Sequence, residues 1–86
     1  MQIYHDNANS RAFVEIEGVE AEVEYRLADG YLDITHTFVP STLEGRGIAS
    51  QLVKFAYDYA RNEGLKLRAT CPYAKTWLDK HPEYKG

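Results

Sequence analysis

The hydrophobic rhythm of this chain changes once, at Pro40, and that change dictates the order of its structural elements. Before Pro40 the apolar residues recur at a period near two. Ala12-Phe13-Val14-Glu15-Ile16 reads as a strand that runs into the turn signal Glu17-Gly18. Val19 to Leu27 follows, with Val19, Ala21, Val23 and Tyr25 on one side and Glu20, Glu22, Glu24 and Arg26 on the other. That alternation describes an antiparallel strand with one wet face. Ala28-Asp29-Gly30 is a second tight turn, and Tyr31 to Val39 is a third strand. It stops at Pro40, which has no N–H to give to a ladder. After Pro40 the period becomes helical. Ile48, Leu52, Phe55, Ala56 and Tyr59 form one stripe on a helix from Gly47 to about Glu63, with Gly64 as its stop. Leu65 to Thr70 reads as a short fourth strand. Pro72 opens a second helix to about Lys80, with Trp77 and Leu78 inward, and His81-Pro82 closes it.

The expected class is therefore α+β with a mixed sheet, in the order β-β-β-α-β-α. A strand, a helix and a strand in succession imply a right-handed crossover that leaves the last two strands parallel. The sheet is expected to be a three-strand antiparallel meander plus one strand parallel to its neighbour. At 86 residues the chain fits one domain, residues 1–86, with a thin core. A thin core and an exposed meander edge make a homodimer reasonable.

The net charge of −3, with no run of Lys or Arg, argues against nucleic acid as a partner. One cysteine, Cys71, cannot form an internal disulfide, which fits a reducing cytoplasm. Met1 to Ser10 is polar and shows no secretory signal, and no apolar run approaches a membrane span, so no membrane partner is expected. Three scattered histidines do not make a metal site. His5 lies in that polar N-terminus and carries no signal.

The junction between the two periods holds the chemistry. It reads Val39-Pro40-Ser41-Thr42-Leu43-Glu44-Gly45-Arg46-Gly47-Ile48-Ala49, with two glycines flanking an arginine where the helix begins. The first N–H groups of a helix have no internal partners and carry the positive end of its dipole, so they attract phosphate. Glycine lets a ligand approach the backbone, and Arg46 could add a forked donor. The tripeptide alone also fits a plain strand-to-helix turn.

With its surroundings, this junction resembles the coenzyme A motif of the GCN5-related N-acetyltransferases. That motif is Gln or Arg, two residues, Gly, one residue, then Gly or Ala. Gly47 and Ala49 match its fourth and sixth positions, and Glu44 stands where Gln or Arg is usual. His36-Thr37-Phe38-Val39-Pro40, Cys71-Pro72-Tyr73, Trp77-Leu78 and His81-Pro82-Glu83-Tyr84 resemble a compact subgroup of small acetyltransferase-like proteins, across Phe13 to Tyr84. The resemblance implies a minimal version of that family's fold, with a V-shaped cleft between the third and fourth strands. It implies that the backbone near Phe38 and Val39 pairs with a pantetheine arm, and that the amides of Gly45, Arg46, Gly47, Ile48 and Ala49 hold the pyrophosphate of acetyl-CoA or coenzyme A.

Three side chains are catalytic candidates, each with a plainer alternative. Cys71 ends the fourth strand beside the expected gap, as a nucleophile or acetyl carrier, or as a small buried hydrophobe. His36 is a general base or a structural hydrogen-bonding residue; regular alternation puts it on the face of Ile34 and Phe38. Tyr73 protonates the leaving thiolate, as in many relatives, or packs as an aromatic. Glu20, Glu22 and Glu24 could attract a cationic amine, but such a row more simply keeps a strand face solvated. The expected function is N-acetyl transfer from acetyl-CoA to an amine of unknown identity. The alternatives are a non-catalytic module that binds coenzyme A or acyl-CoA, and an interaction protein whose glycine turn is purely structural.

Overall fold

A computed structural model describes residues 1–85. Five strands form one sheet in chain order: β1 Tyr4–Asp6, β2 Arg11–Ile16, β3 Val19–Ala28, β4 Tyr31–Phe38 and β5 Lys66–Ala69. Helix α1, Ile48–Asn62, crosses from β4 to β5, and α2, Pro72–Lys80, follows β5. The first three pairings are antiparallel and β4–β5 is parallel, as a helical crossover requires. The mixed α+β class and the order of the later elements match the sequence reading, with one strand added at the front.

That added strand is β1, in the segment whose polarity concealed it. It pairs Tyr4, His5 and Asp6 with Phe13, Ala12 and Arg11. His5 is no idle residue. Its Nε2 lies 2.7 Å from the Tyr25 hydroxyl, and its ring meets Phe55 and Tyr59 edge-on at centroid distances of 5.4 and 4.5 Å. A three-residue strand is too short to show a period, so only its tertiary contacts reveal it.

Alternation along β2 and β3 buries Ala12, Val14, Ala21, Val23 and Tyr25 against the helices. Helix α1 answers with Ile48, Leu52, Val53, Ala56, Tyr57 and Ala60, a stripe rotated from the expected one. Phe55 and Tyr59 are only partly buried, beneath β1, whereas Tyr57 is wholly inside. A tyrosine is tolerated there because its hydroxyl donates to the Arg68 carbonyl at 2.8 Å. Trp77 joins the same core and donates its indole N–H to Ser50 Oγ at 2.9 Å, tying α2 to the first turn of α1.

Strand β4 is not regular. Glu24 faces His36, but the next residue of β3, Tyr25, faces Ile34, so Thr35 is an extra residue in β4. This bulge reverses the alternation beyond it. His36 and Phe38 lie opposite Glu24 and Glu22 on the solvent side, and Thr37 lies opposite buried Val23 on the core side. The expectation that His36 and Phe38 share a face with Ile34 is corrected by that single residue. Among the described residues no helix is long and apolar enough to cross a membrane.

Candidate functional site

Strands β4 and β5 pair only from Tyr31–Lys66 to Ile34–Ala69. Beyond that they part. Strand β4 continues to Phe38, while the chain after β5 turns into α2. The fork is clamped at its apex. Thr70 N and Cys71 N both donate to Ile34 O at 3.0 Å. Asp33, only 5% exposed, accepts from Thr70 N at 2.8 Å and Thr70 Oγ1 at 2.7 Å. A buried carboxylate with two good donors is a satisfied one, and here it fixes where the strands diverge.

The loop from β4 to α1 fills one side of the fork. Ser41–Leu43 makes a single 3-10 turn whose Leu43 is 1% exposed and anchors the loop in the core. Gly45 (φ 81°) and Gly47 (φ 74°) then adopt left-handed backbone, a conformation that an L side chain resists. A Cβ at either position would meet nothing within 4 Å, so space rather than crowding surrounds the turn. The first α1 hydrogen bond runs from Gln51 N to Gly47 O at 3.2 Å, and no side chain caps the helix. Among the described residues, the amides of Gly45 through Ser50 therefore have no protein acceptor. They lie at the positive end of a fifteen-residue helix.

A groove of about 470 Å³ opens on these amides. Gly45, Gly47, Ile48, Ala49 and Ser50 line it on the α1 side, Thr37 and Val39 on the β4 side, and Tyr73 from α2. Ile48 buries its own side chain in the core and so offers the groove little beyond backbone. Of the residues singled out from the sequence, Val39, Gly45, Gly47, Ile48, Ala49 and Tyr73 come together here.

The others stand apart. The Arg46 guanidinium is turned to the surface, where Nη1 pairs with Glu17 Oε1 at 2.9 Å. Both partners are exposed, so the pair is weak and can be exchanged for a ligand. Phe38 is 49% exposed on the far side of the sheet, and His36 lies on that side as well. Cys71, 6% exposed, is not in the groove wall. Its Sγ donates to Thr37 Oγ1 at 3.6 Å, a normal length for sulfur, and Thr37 is the residue that reaches the groove.

Tyr73 is 43% exposed and lines the groove. Partial burial pushes its phenol above the ordinary tyrosine value; the Ser50 hydroxyl beside it pulls the other way, and the neighbouring Cys71 adds a smaller push upward. A tyrosine phenol is already protonated at neutral pH, a state able to donate a proton, and the upward direction leaves that unchanged. Thr37 and Ser50 also line the groove, and neither was singled out from sequence. Thr37 reaches the groove only because of the bulge, which no alternation pattern announces. Ser50 looks like any polar residue on a helix.

The model of the GCN5-related N-acetyl-transferase family matches residues 11–86. Protein NATD1 of Gallus gallus is 33% identical over 95% of this chain and 77% of its own length. Protein NATD1 of Homo sapiens is 31% identical over 95% and 75%. An NMR solution structure of a protein described as GCN5-like, from Staphylococcus aureus, superposes with a TM-score of 0.77 at 30% identity, covering 96% of this chain and 82% of the other.

Proposed function

Because the chain belongs to the GCN5-related N-acetyltransferase family, we propose that it binds acetyl-CoA in the groove at the start of α1 and transfers the acetyl group to an amine. The observation that carries this reading is the run of unpartnered amides from Gly45 to Ser50, beside a groove that Tyr73 also lines. A pyrophosphate suits those donors, since they pre-exist in the right orientation and add a helix dipole. Glu44 lines the same groove, where a carboxylate would repel phosphate, so the binding rests on backbone donors and a reoriented Arg46.

The edge of β4 beyond Ile34 is left unpaired by β5 and can take an extended pantetheine arm as a short extra strand, past Thr37 and Val39. When bound, acetyl-CoA supplies an acyl group on a thiol leaving group. Tyr73 donates a proton to that sulfur, and the rigid fork holds the reacting atoms close. His36, across the sheet beside Glu24, is the candidate to take a proton from an amine arriving from the solvent side.

A second reading, binding without turnover, draws on one specific observation. Cys71 is buried and bonded to Thr37 rather than presented to the groove, so the route through an acetylated thiol needs a rearrangement of that pair. Two measurements divide the readings. Coenzyme A should raise the melting temperature, as any ligand of the folded state does. Thiol release from acetyl-CoA in the presence of amines should then exceed the rate without protein. Stabilisation with no amine-dependent release favours the binding module; no stabilisation at millimolar coenzyme A removes both.

A further inference from the structure

The sheet ends at β5, which among the described residues has β4 on one side and no strand on the other. We propose that this free edge, with the basic groove around it, is a docking site for an acidic, extended peptide segment of a partner protein, added as a sixth strand.

The backbone points the right way. Lys66 N donates to Gly30 O and Thr70 N to Ile34 O, so the groups of these even-numbered residues face β4. The intervening Leu67 and Ala69 therefore turn their N–H and C=O groups to the open edge. A groove of about 990 Å³ runs along this edge, between β5 and the side of α2. Leu65, Leu67 and Leu78 supply its apolar patches.

The charge is unlike that of the rest of the chain. Arg61, Lys66, Arg68, Lys75 and Lys85 line the groove, five of the ten Lys and Arg residues, against Asp79 and Glu83. Five cations and two carboxylates leave a local balance of +3 on a chain whose net charge is −3. Lys85 is paired with Asp79 at 2.6 Å, and Arg61 stacks over Tyr84. Lys66, Arg68 and Lys75 make no salt bridge among the described residues. Alternation fits the two halves together. In a strand laid beside β5, alternate side chains would meet Lys66 and Arg68 on one face and Leu67 and Leu78 on the other. An acidic–apolar alternating segment satisfies both.

Two other occupants fit less well. A two-fold β5–β5 pairing of two copies would bring Lys66 and Arg68 of each chain together, like charge against like. A nucleic-acid strand would use the cations but neither the unpaired amides nor the leucine patches, and would meet Asp79 and Glu83.

The test uses a short peptide of alternating Glu and Val, fluorescently labelled, titrated into the intact protein and followed by anisotropy. ¹⁵N-HSQC spectra run in parallel. Saturable binding is expected, with the Leu67 and Ala69 amides shifting most and the amides of Gly45 to Ser50 staying in place. Arg68→Glu and Lys75→Glu, both exposed and checked for an unchanged fold, should each weaken binding about tenfold or more. A peptide N-methylated at alternate residues keeps its charge but loses its edge donors, and should weaken to a similar degree. The proposal is overturned if no binding saturates, if N-methylation has no effect, if a single-stranded oligonucleotide binds the groove as tightly, or if sedimentation shows a dimer in which those amides are already protected.

Discussion

Replacing Gly47 by Asn and by Asp separates backbone strain from charge at the proposed phosphate site. Gly47 sits at φ 74° just before α1, and a Cβ there meets nothing within 4 Å. Both replacements therefore carry the same left-handed strain, about 1 kcal/mol, with no clash. For a domain of this size that lowers the melting temperature by roughly 4–8 °C. The two side chains have nearly the same shape, and they differ by one negative charge. Without ligand, that charge sits at the positive end of α1 and should make the Asp variant more stable than the Asn variant, by about 0.3–1 kcal/mol. With coenzyme A present the sign should reverse. A carboxylate roughly 5 Å from a phosphate charge is opposed by about 1 kcal/mol in a water-like dielectric and about 3 kcal/mol at an effective value near 20. The Asp variant should then bind coenzyme A at least about fivefold more weakly than the Asn variant. Calorimetric titration of both, beside their melting curves, reads the two signs independently. If Asn and Asp bind coenzyme A equally well, the pyrophosphate is not held at the start of α1 and the assignment of the groove fails.

Three further outcomes follow from the geometry. Tyr73→Phe should leave the affinity for coenzyme A unchanged while lowering the rate of acetyl transfer about a hundredfold or more. Because burial raises the Tyr73 pKa, the wild-type rate should fall only above the ordinary tyrosine value near 10. An identical rate–pH profile for the Phe variant would remove Tyr73 as the acid. Asp33→Ala removes the acceptor of Thr70 Oγ1 and the nearer of the two acceptors of Thr70 N, which keeps Ile34 O, and should destabilise the chain by about 1–3 kcal/mol in urea denaturation. A change within error would show that the fork is held by the Ile34 carbonyl alone. His5 has its pKa lowered from the ordinary 6.5 by burial, partly offset by Asp6. The unfolded chain therefore takes up that proton at a higher pH than the folded one. The stability from neutral His5 is complete above pH 6.5 and declines as the pH falls through the folded value. Melting temperatures from pH 7 to 5 should fall less steeply for His5→Gln; parallel curves would show that His5 does not titrate on unfolding.

Periodicity was enough for β2 to β5, α1 and α2, because each of these is long enough to express a repeat or is bounded by a glycine or proline. The unpartnered amides at Gly45–Ala49 were legible for a related reason. Glycines where a helical period begins describe a local backbone shape, and the missing partners of a first helical turn follow from covalent geometry alone. Gly45 and Gly47 adopt the left-handed conformation that their placement implied.

What the chain alone could not disclose arises where distant segments meet. The bulge at Thr35 turns on how β4 fits β3, and it alone decides that Thr37 reaches the groove and His36 does not. Strand β1 exists because His5 finds Tyr25, Phe55 and Tyr59, residues twenty to fifty-four positions away. Arg46 is drawn to Glu17, and Cys71 is sealed against Thr37, by packing that no local pattern records. Local residue choice determined which backbone segments form and where their unpaired donors lie. Which side chains those donors share a groove with was decided only when the sheet closed over its core.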